Sequence, residues 1–305
     1  MQLIVYIFSK ILYGFLWLIT KIPLQWLQVF AFILFPFIYY IFPYRKKLVL
    51  RNIRTAFPEW TEKKVRKTAK NFYLYFNQSL IESLYTGTFS KKNYEERYKV
   101  RNPELCNNIF EKGKSVTLLM AHYGNWEWSQ SMQLCLKHQV LPIYKPLHNR
   151  VLDQKIKNDR EKFGAIAIPM EKILRTLFEF EKHKKRSLTL FVADQRPLMA
   201  KIQYWTNFFH QDTPVVMGPE KIAHKFNHAV VFLKIIPIKR GYYEAEFVQM
   251  FDNLEGVKEY EIMETYHSHL EKMIREKPEY WLWTHNRWKH KKEDFYRLQK
   301  KREGR

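Results

Sequence analysis

Cysteine is almost missing from this chain: Cys106 and Cys135 are its two thiols. Two cysteines without metal-ligand spacing exclude a disulfide-stapled scaffold and a zinc ribbon, and they read as reduced thiols of a cytosolic body. Glycine (9) and proline (13) are sparse in 305 residues, which leaves little room for collagenous or long disordered stretches. Negative charge is short as well, with 30 acidic against 52 basic residues and a formal net charge of +22. That imbalance calls for an anionic partner, and nucleic acid, an acidic membrane surface or an acidic carrier protein would each satisfy it. No repeat of solenoid period occurs. There is no H-E-x-x-H and no paired ligand set, so no metal site is expected. Nor is there a G-x-S-x-G elbow to carry a strand-end serine nucleophile.

What the chain does have is apolar and aromatic mass, 46% and 17% of the residues. From Ile22 to Pro43, 22 positions carry no charge, roughly the ~20 residues that cross a bilayer as a helix. Tyr, Phe and Pro stand where a signal peptide has small residues, so the segment is expected to stay attached. Arg45, Lys46, Lys47, Arg51 and Arg54 follow at once, which places the remainder on the cytoplasmic side by the positive-inside rule. Gln25, Gln28, Pro23 and Pro36 interrupt the apolar run, so a spanning helix and an interfacial anchor both remain open.

Beyond the anchor, Thr61 reads as an N-cap, and Val65, Ala69, Phe72, Phe76, Leu80 and Leu84 recur at helical spacing. After residue 114 short apolar runs alternate with helical stretches: Val116–Ala121, a helix over 126–138, Val140–Tyr144, a polar helix through Lys162, Ile166–Ile168, a helix over 170–182, Leu188–Ala193 and a helix opening near Gly218. The alternation predicts an α/β fold with a mostly parallel central sheet flanked by helices, behind an N-terminal hydrophobic anchoring helix. Val230–Ile236 and Tyr242–Met250 around K-R-G predict an added hairpin, and a last helix is expected over 259–276. The domain boundaries read as an anchor over 1–43, a helical lead-in over 44–113, the α/β domain over 114–290 and a basic tail over 291–305.

The strand Val116–Ala121 stops at His122, where open α/β sheets place reactive groups, and Glu127 lies close behind it. On one continuous helix an offset of five residues turns the two side chains about 140° apart. Gly124 and Asn125 are turn formers, and a turn there would let Glu127 reach the imidazole, fix its tautomer and stabilise the imidazolium. Spacing alone also fits a satisfied core histidine beside an ordinary helix residue. With no side-chain nucleophile placed to serve, a substrate hydroxyl is the group such a base would deprotonate.

Several blocks in order carry a resemblance: R-K-K-L-V-L-R-N-I-R-T-A-F-P-E-W after the anchor, A-H-Y-G-N-W-E-W, Y-K-P-L-H-N-R-V-L-D leading to Arg160, A-D-Q, F-F before T-P-V-V-M-G, and W-L-W-T-H-N-R-W-K. Together they resemble the bacterial lipid A biosynthesis acyltransferases, within the glycerolipid acyltransferase superfamily whose motif is a histidine and, after four residues, an acidic one. Lys145 stands where the family often has arginine, and Arg196-Pro197 departs from its usual Asp-Gln continuation.

The resemblance implies acyl transfer from an acyl carrier protein thioester, or acyl-CoA, to a hydroxyl of an anionic lipid acceptor at the inner membrane, with no cofactor. It makes His122 the base and Glu127 its orienting carboxylate, with Asn125, Lys145, Asn149, Arg160, Asp194, Gln195 and Arg287 around the substrates. Lys234 and Arg240 are further cations for phosphate groups, and His285 reads as packing. Another lipid acceptor, or a non-enzymatic basic binding protein at the membrane, are the rival readings. No RNA- or DNA-binding motif is present, so nucleic acid is not an expected partner.

Overall fold

The computed structural model describes Lys10 and residues 14–303. The start of the expected anchor, residues 1–9 and 11–13, and the last two tail residues lie outside that description.

Helix α1 (Leu24–Pro36) opens after Pro23 and loosens at Pro36 into a wider π turn, Phe37–Ile41, as expected where a proline ring displaces a carbonyl. Helix α2 (Lys46–Ala56) follows, then α3 (Glu62–Leu84), whose N-cap Thr61 accepts from the Lys64 amide at 3.4 Å. Ser90 and Asn93 form a capping box at α4 (Lys91–Arg97), which leads into β1 (Tyr98–Val100) and α5 (Pro103–Glu111). Strand β2 (Val116–Met120) and β3 (Gln139–Tyr144) come next, then α6 (Arg150–Glu161), β4 (Ile168–Pro169), α7 (Ile173–Lys182) and β5 (Ser187–Val192). A small hairpin, β6 (Trp205–Phe208) and β7 (Gln211–Pro214), precedes α8 (Gly218–Phe226). Strands β8 (Ala229–Lys239) and β9 (Tyr242–Phe251), then α9 (Glu261–Glu276) and α10 (Lys292–Glu303), complete the order.

Seven strands form the main sheet in the order β1-β9-β8-β2-β5-β3-β4. The block from β8 to β4 is parallel throughout, and β9 pairs antiparallel with β8 across the K-R-G turn. This is the expected α/β architecture. Every residue of β2 is buried, as an apolar run in a sheet covered on both faces should be. The lead-in region contributes more than helices, because its β1 pairs parallel with β9 at the sheet edge.

The apolar N-terminal helix does not stand away from the body. Leu24, Leu27, Ala31, Phe35 and Tyr39 are buried, a stripe at three- and four-residue spacing that packs on α3. Gln28, out of place in a span, turns inward and donates to Glu82 at 3.5 Å. The outer stripe, including Trp26, Phe30, Ile33 and Phe37, is exposed.

Candidate active site

Parallel neighbours release their loops at the same edge, and β2 and β5 are paired in register, Met120 beside Val192. His122 and Asp194 each lie two residues beyond that pair, so the ~4.8 Å strand spacing brings them together. Imidazole Nδ1 meets Asp194 Oδ1 at 2.7 Å, and Asp194 Oδ2 accepts from Trp281 Nε1 at 2.9 Å. The aspartate is buried while His122 keeps 21% of its side chain exposed.

Electrostatics follow from that contact. Burial alone would depress the imidazole, but the charge and hydrogen bond of Asp194 outweigh it, with help from Glu127 against Arg160, and its pKa is raised. For Asp194 burial pushes upward, yet the imidazole, the Trp281 N–H and the His122 backbone hold it down at about 2. A proton on Nδ1 facing the carboxylate leaves Nε2 as the basic nitrogen. The Gln195 amide lies 3.3 Å from Nε2, and the Trp126 ring stands edge-on to the imidazole at 5.1 Å.

The carboxylate on the histidine is therefore Asp194, a correction to the expectation that Glu127 orients it. Glu127 lies in the first turn of a 3-10 helix, Trp126–Leu134, which is tighter and shorter than the helix expected over 126–138, and both of its oxygens take Arg160 Nη2 at 3.2 Å. Asn125, expected around the substrates, is instead buried: it donates to Glu82 Oε2 at 2.9 Å, and Tyr243 donates to the same oxygen at 2.8 Å. Gly124 makes the turn that the sequence predicts, at φ +52°, with space for no side chain because a Cβ would stand 2.7 Å from Ile235 Cγ2.

The turn is tied down from a distance. Tyr123 bridges Trp281, the Leu282 amide donates to the His122 carbonyl at 3.1 Å, the Gly124 amide donates to the Tyr280 carbonyl at 3.1 Å, and Tyr75 donates to the Gly124 carbonyl at 2.6 Å. The Gly124 N–H is thereby spent within the protein and is withdrawn as a donor to a substrate oxyanion.

Two further expectations change. Arg287 is 1% exposed and donates to the Pro214 carbonyl at 2.9 Å, so it is a buried cation behind Asp194 and not a surface contact for substrate. Asn149 caps α6 by accepting from the Val151 and Leu152 amides at 3.0 and 3.2 Å. Lys145 is exposed beyond β3, at the same sheet edge as His122. His285 accepts from the Arg196 amide at 3.3 Å, and burial drives its pKa down to about 4. Trp281, Trp126, Tyr75 and Glu82 were not among the sequence candidates. The W-L-W block was conspicuous, but no periodicity ties it to residue 122.

Fold and site define an α/β protein with a strand-end histidine–aspartate pair. The family model for bacterial lipid A biosynthesis acyltransferases matches residues 2–290, and the chain belongs to that family. It is an acyltransferase of lipid A biosynthesis, with a lipid acceptor. Comparison with curated proteins gives no match.

Proposed function

We propose that the protein moves a fatty acyl chain from an acyl carrier protein thioester to a hydroxyl of a lipid A precursor at the inner membrane, with its catalytic face on the cytoplasmic side. The observation that carries the mechanism is the His122 Nδ1–Asp194 contact of 2.7 Å. His122 Nε2 takes the acceptor hydroxyl proton as its oxygen attacks the thioester carbonyl. Asp194 holds the tautomer and stabilises the imidazolium, without itself becoming protonated. Collapse of the tetrahedral intermediate breaks the C–S bond, and the imidazolium returns its proton to the departing thiolate.

Arg160 is the donor proposed for the developing oxyanion or for an acceptor phosphate, held in place by Glu127. Lys145 supplies further positive charge at the mouth, and Gln195 lies within reach of Nε2 to orient the hydroxyl. The excess of cations fits both an acidic carrier and an anionic lipid.

Mass spectrometry of lipids from cells with and without the gene tests this. A lipid A species lacking one acyl chain, restored by wild type and not by His122→Ala or Asp194→Ala, is the expected result. Full restoration by both variants overturns the assignment of the pair.

A further inference from the structure

Because β2, β3, β4, β5 and β8 run parallel, the chain leaves all of them at one edge of the sheet, the edge that holds His122 and Asp194. An exposed apolar residue follows or ends four of those strands: Leu147 after β3 (44% exposed), Met170 after β4 (57%), Leu198 after β5 (66%) and Ile238 at the end of β8 (52%). Scattered apolar residues on a surface are ordinary, but a set gathered at one edge is not.

The N-terminal helix joins the same edge. The Arg240 guanidinium lies over the Phe32 ring at 5.6 Å, and a Cβ at Gly241 would stand 2.6 Å from Gln28 Nε2. The inner stripe of the helix is committed to α3 from end to end: Tyr85 donates to the Ile22 carbonyl, and the Tyr39 and Tyr73 rings meet at 5.4 Å. The outer stripe, Trp26, Phe30, Ile33, Phe37 and Tyr40, is exposed and open to lipid. Exposed Lys145, Lys201, Lys239 and Arg240 lie along that edge, the pattern of an anionic interface.

We infer that the carboxyl edge of the sheet lies on an anionic phospholipid bilayer, with the outer stripe of residues 24–41 and Leu147, Leu198 and Ile238 entering the headgroup layer. His122 then opens directly onto the membrane surface, and an acceptor hydroxyl reaches Nε2 without its acyl chains leaving lipid. The functional meaning rests on the lipid-acceptor reading, whereas the orientation itself stands on topology and exposure.

Single cysteines at Leu147, Leu198 and Ile238, and at Lys137 on the opposite edge, are labelled with an environment-sensitive fluorophore in a Cys135→Ser background. The full chain is then mixed with phosphatidylcholine–phosphatidylglycerol vesicles. Blue-shifted emission that headgroup-nitroxide lipids quench is expected at the first three sites and not at Lys137. The L147D/L198D/I238D variant is expected to lose ~10-fold or more in vesicle partition. Water-like emission at the first three sites on vesicle-bound protein overturns the orientation. So does equal quenching at Lys137, or a response at those sites to an acidic carrier protein and not to vesicles. None of these readouts uses activity, so a failure of the acyltransfer reading would show separately, as wild type that binds vesicles and transfers no acyl chain.

Discussion

His122 and Asp194 are 72 residues apart, and 72 is also the register offset between β2 and β5. Their contact is thus a property of strand pairing: the two residues stand equally far beyond the last registered pair, Met120 and Val192. Trp281 closes the unit by donating to the oxygen of Asp194 that the imidazole does not use.

Asp194→Asn is expected to keep the shape of the site and remove the charge that raises the imidazole pKa. In wild type kcat/KM should rise with pH through a limb above the ordinary value of 6.5. In the variant the limb moves to lower pH, and kcat falls about 10²- to 10⁴-fold. Glu127→Gln should chiefly raise KM by loosening Arg160. A variant limb that stays in place would show that Asp194 does not govern the base.

Trp281→Phe removes the N–H that Asp194 Oδ2 accepts at 2.9 Å and leaves a buried carboxylate oxygen without that donor. A loss of ~2–4 kcal/mol in urea unfolding is expected from the lost bond and the smaller ring. Activity should fall alongside. An unchanged urea midpoint would mean that the bond contributes nothing net.

Gly124→Ala meets two costs at once, a backbone at φ +52° and a Cβ 2.7 Å from Ile235 Cγ2. Destabilisation of ~2–4 kcal/mol is expected. In urea unfolding, Gly124→Ala should cost less in an Ile235→Ala background than in wild type, the difference being the steric share, while the backbone share persists.

Glu82 is fully buried, and burial raises its pKa to about 7 against the hydrogen bonds from Tyr243, Asn125 and Gln28 and the charge of Arg97; Tyr75 and Tyr280 also face it. A carboxyl whose folded pKa is raised contributes stability that is whole below its unfolded value, near 4.5, and is lost as pH rises through 7. Stability should therefore decline across that window by a few kcal/mol from this group. Glu82→Gln should flatten the decline, measured as urea midpoints at the two ends. His122 adds a slope of the same sign at slightly higher pH, so His122→Ala is the control.

Much of the architecture is legible in the chain because the signals are local. Helix α3 shows its apolar period, β2 and β5 are short, mostly apolar and uncharged runs, and the K-R-G turn places Gly241 at φ +68° between β8 and β9. The β6–β7 hairpin escapes notice because Phe209 and His210 turn it at φ 51° and 58°, residue types that carry no turn signal. Its cost is offset by packing: both Phe208 and Phe209 are fully buried. At the site, the histidine and its Gly-Asn turn could be read, and Asp194 could be placed at a strand end. Which acid meets the imidazole could not, because that depends on β5 entering between β2 and β3, and strand order leaves no mark on spacing.

The crossing of β5 between two earlier strands also sets a timetable. As the chain is synthesised, β2 emerges with its histidine loop, but its neighbour appears 72 residues later, and the Trp281 that pins both loops comes last of the three. Long-range parallel pairing of this kind is slow to form. Until β5 has been made and has entered beside β2, the imidazole lacks the carboxylate that raises its pKa, so the full basicity of His122 is a late product of folding and not a property of its own loop.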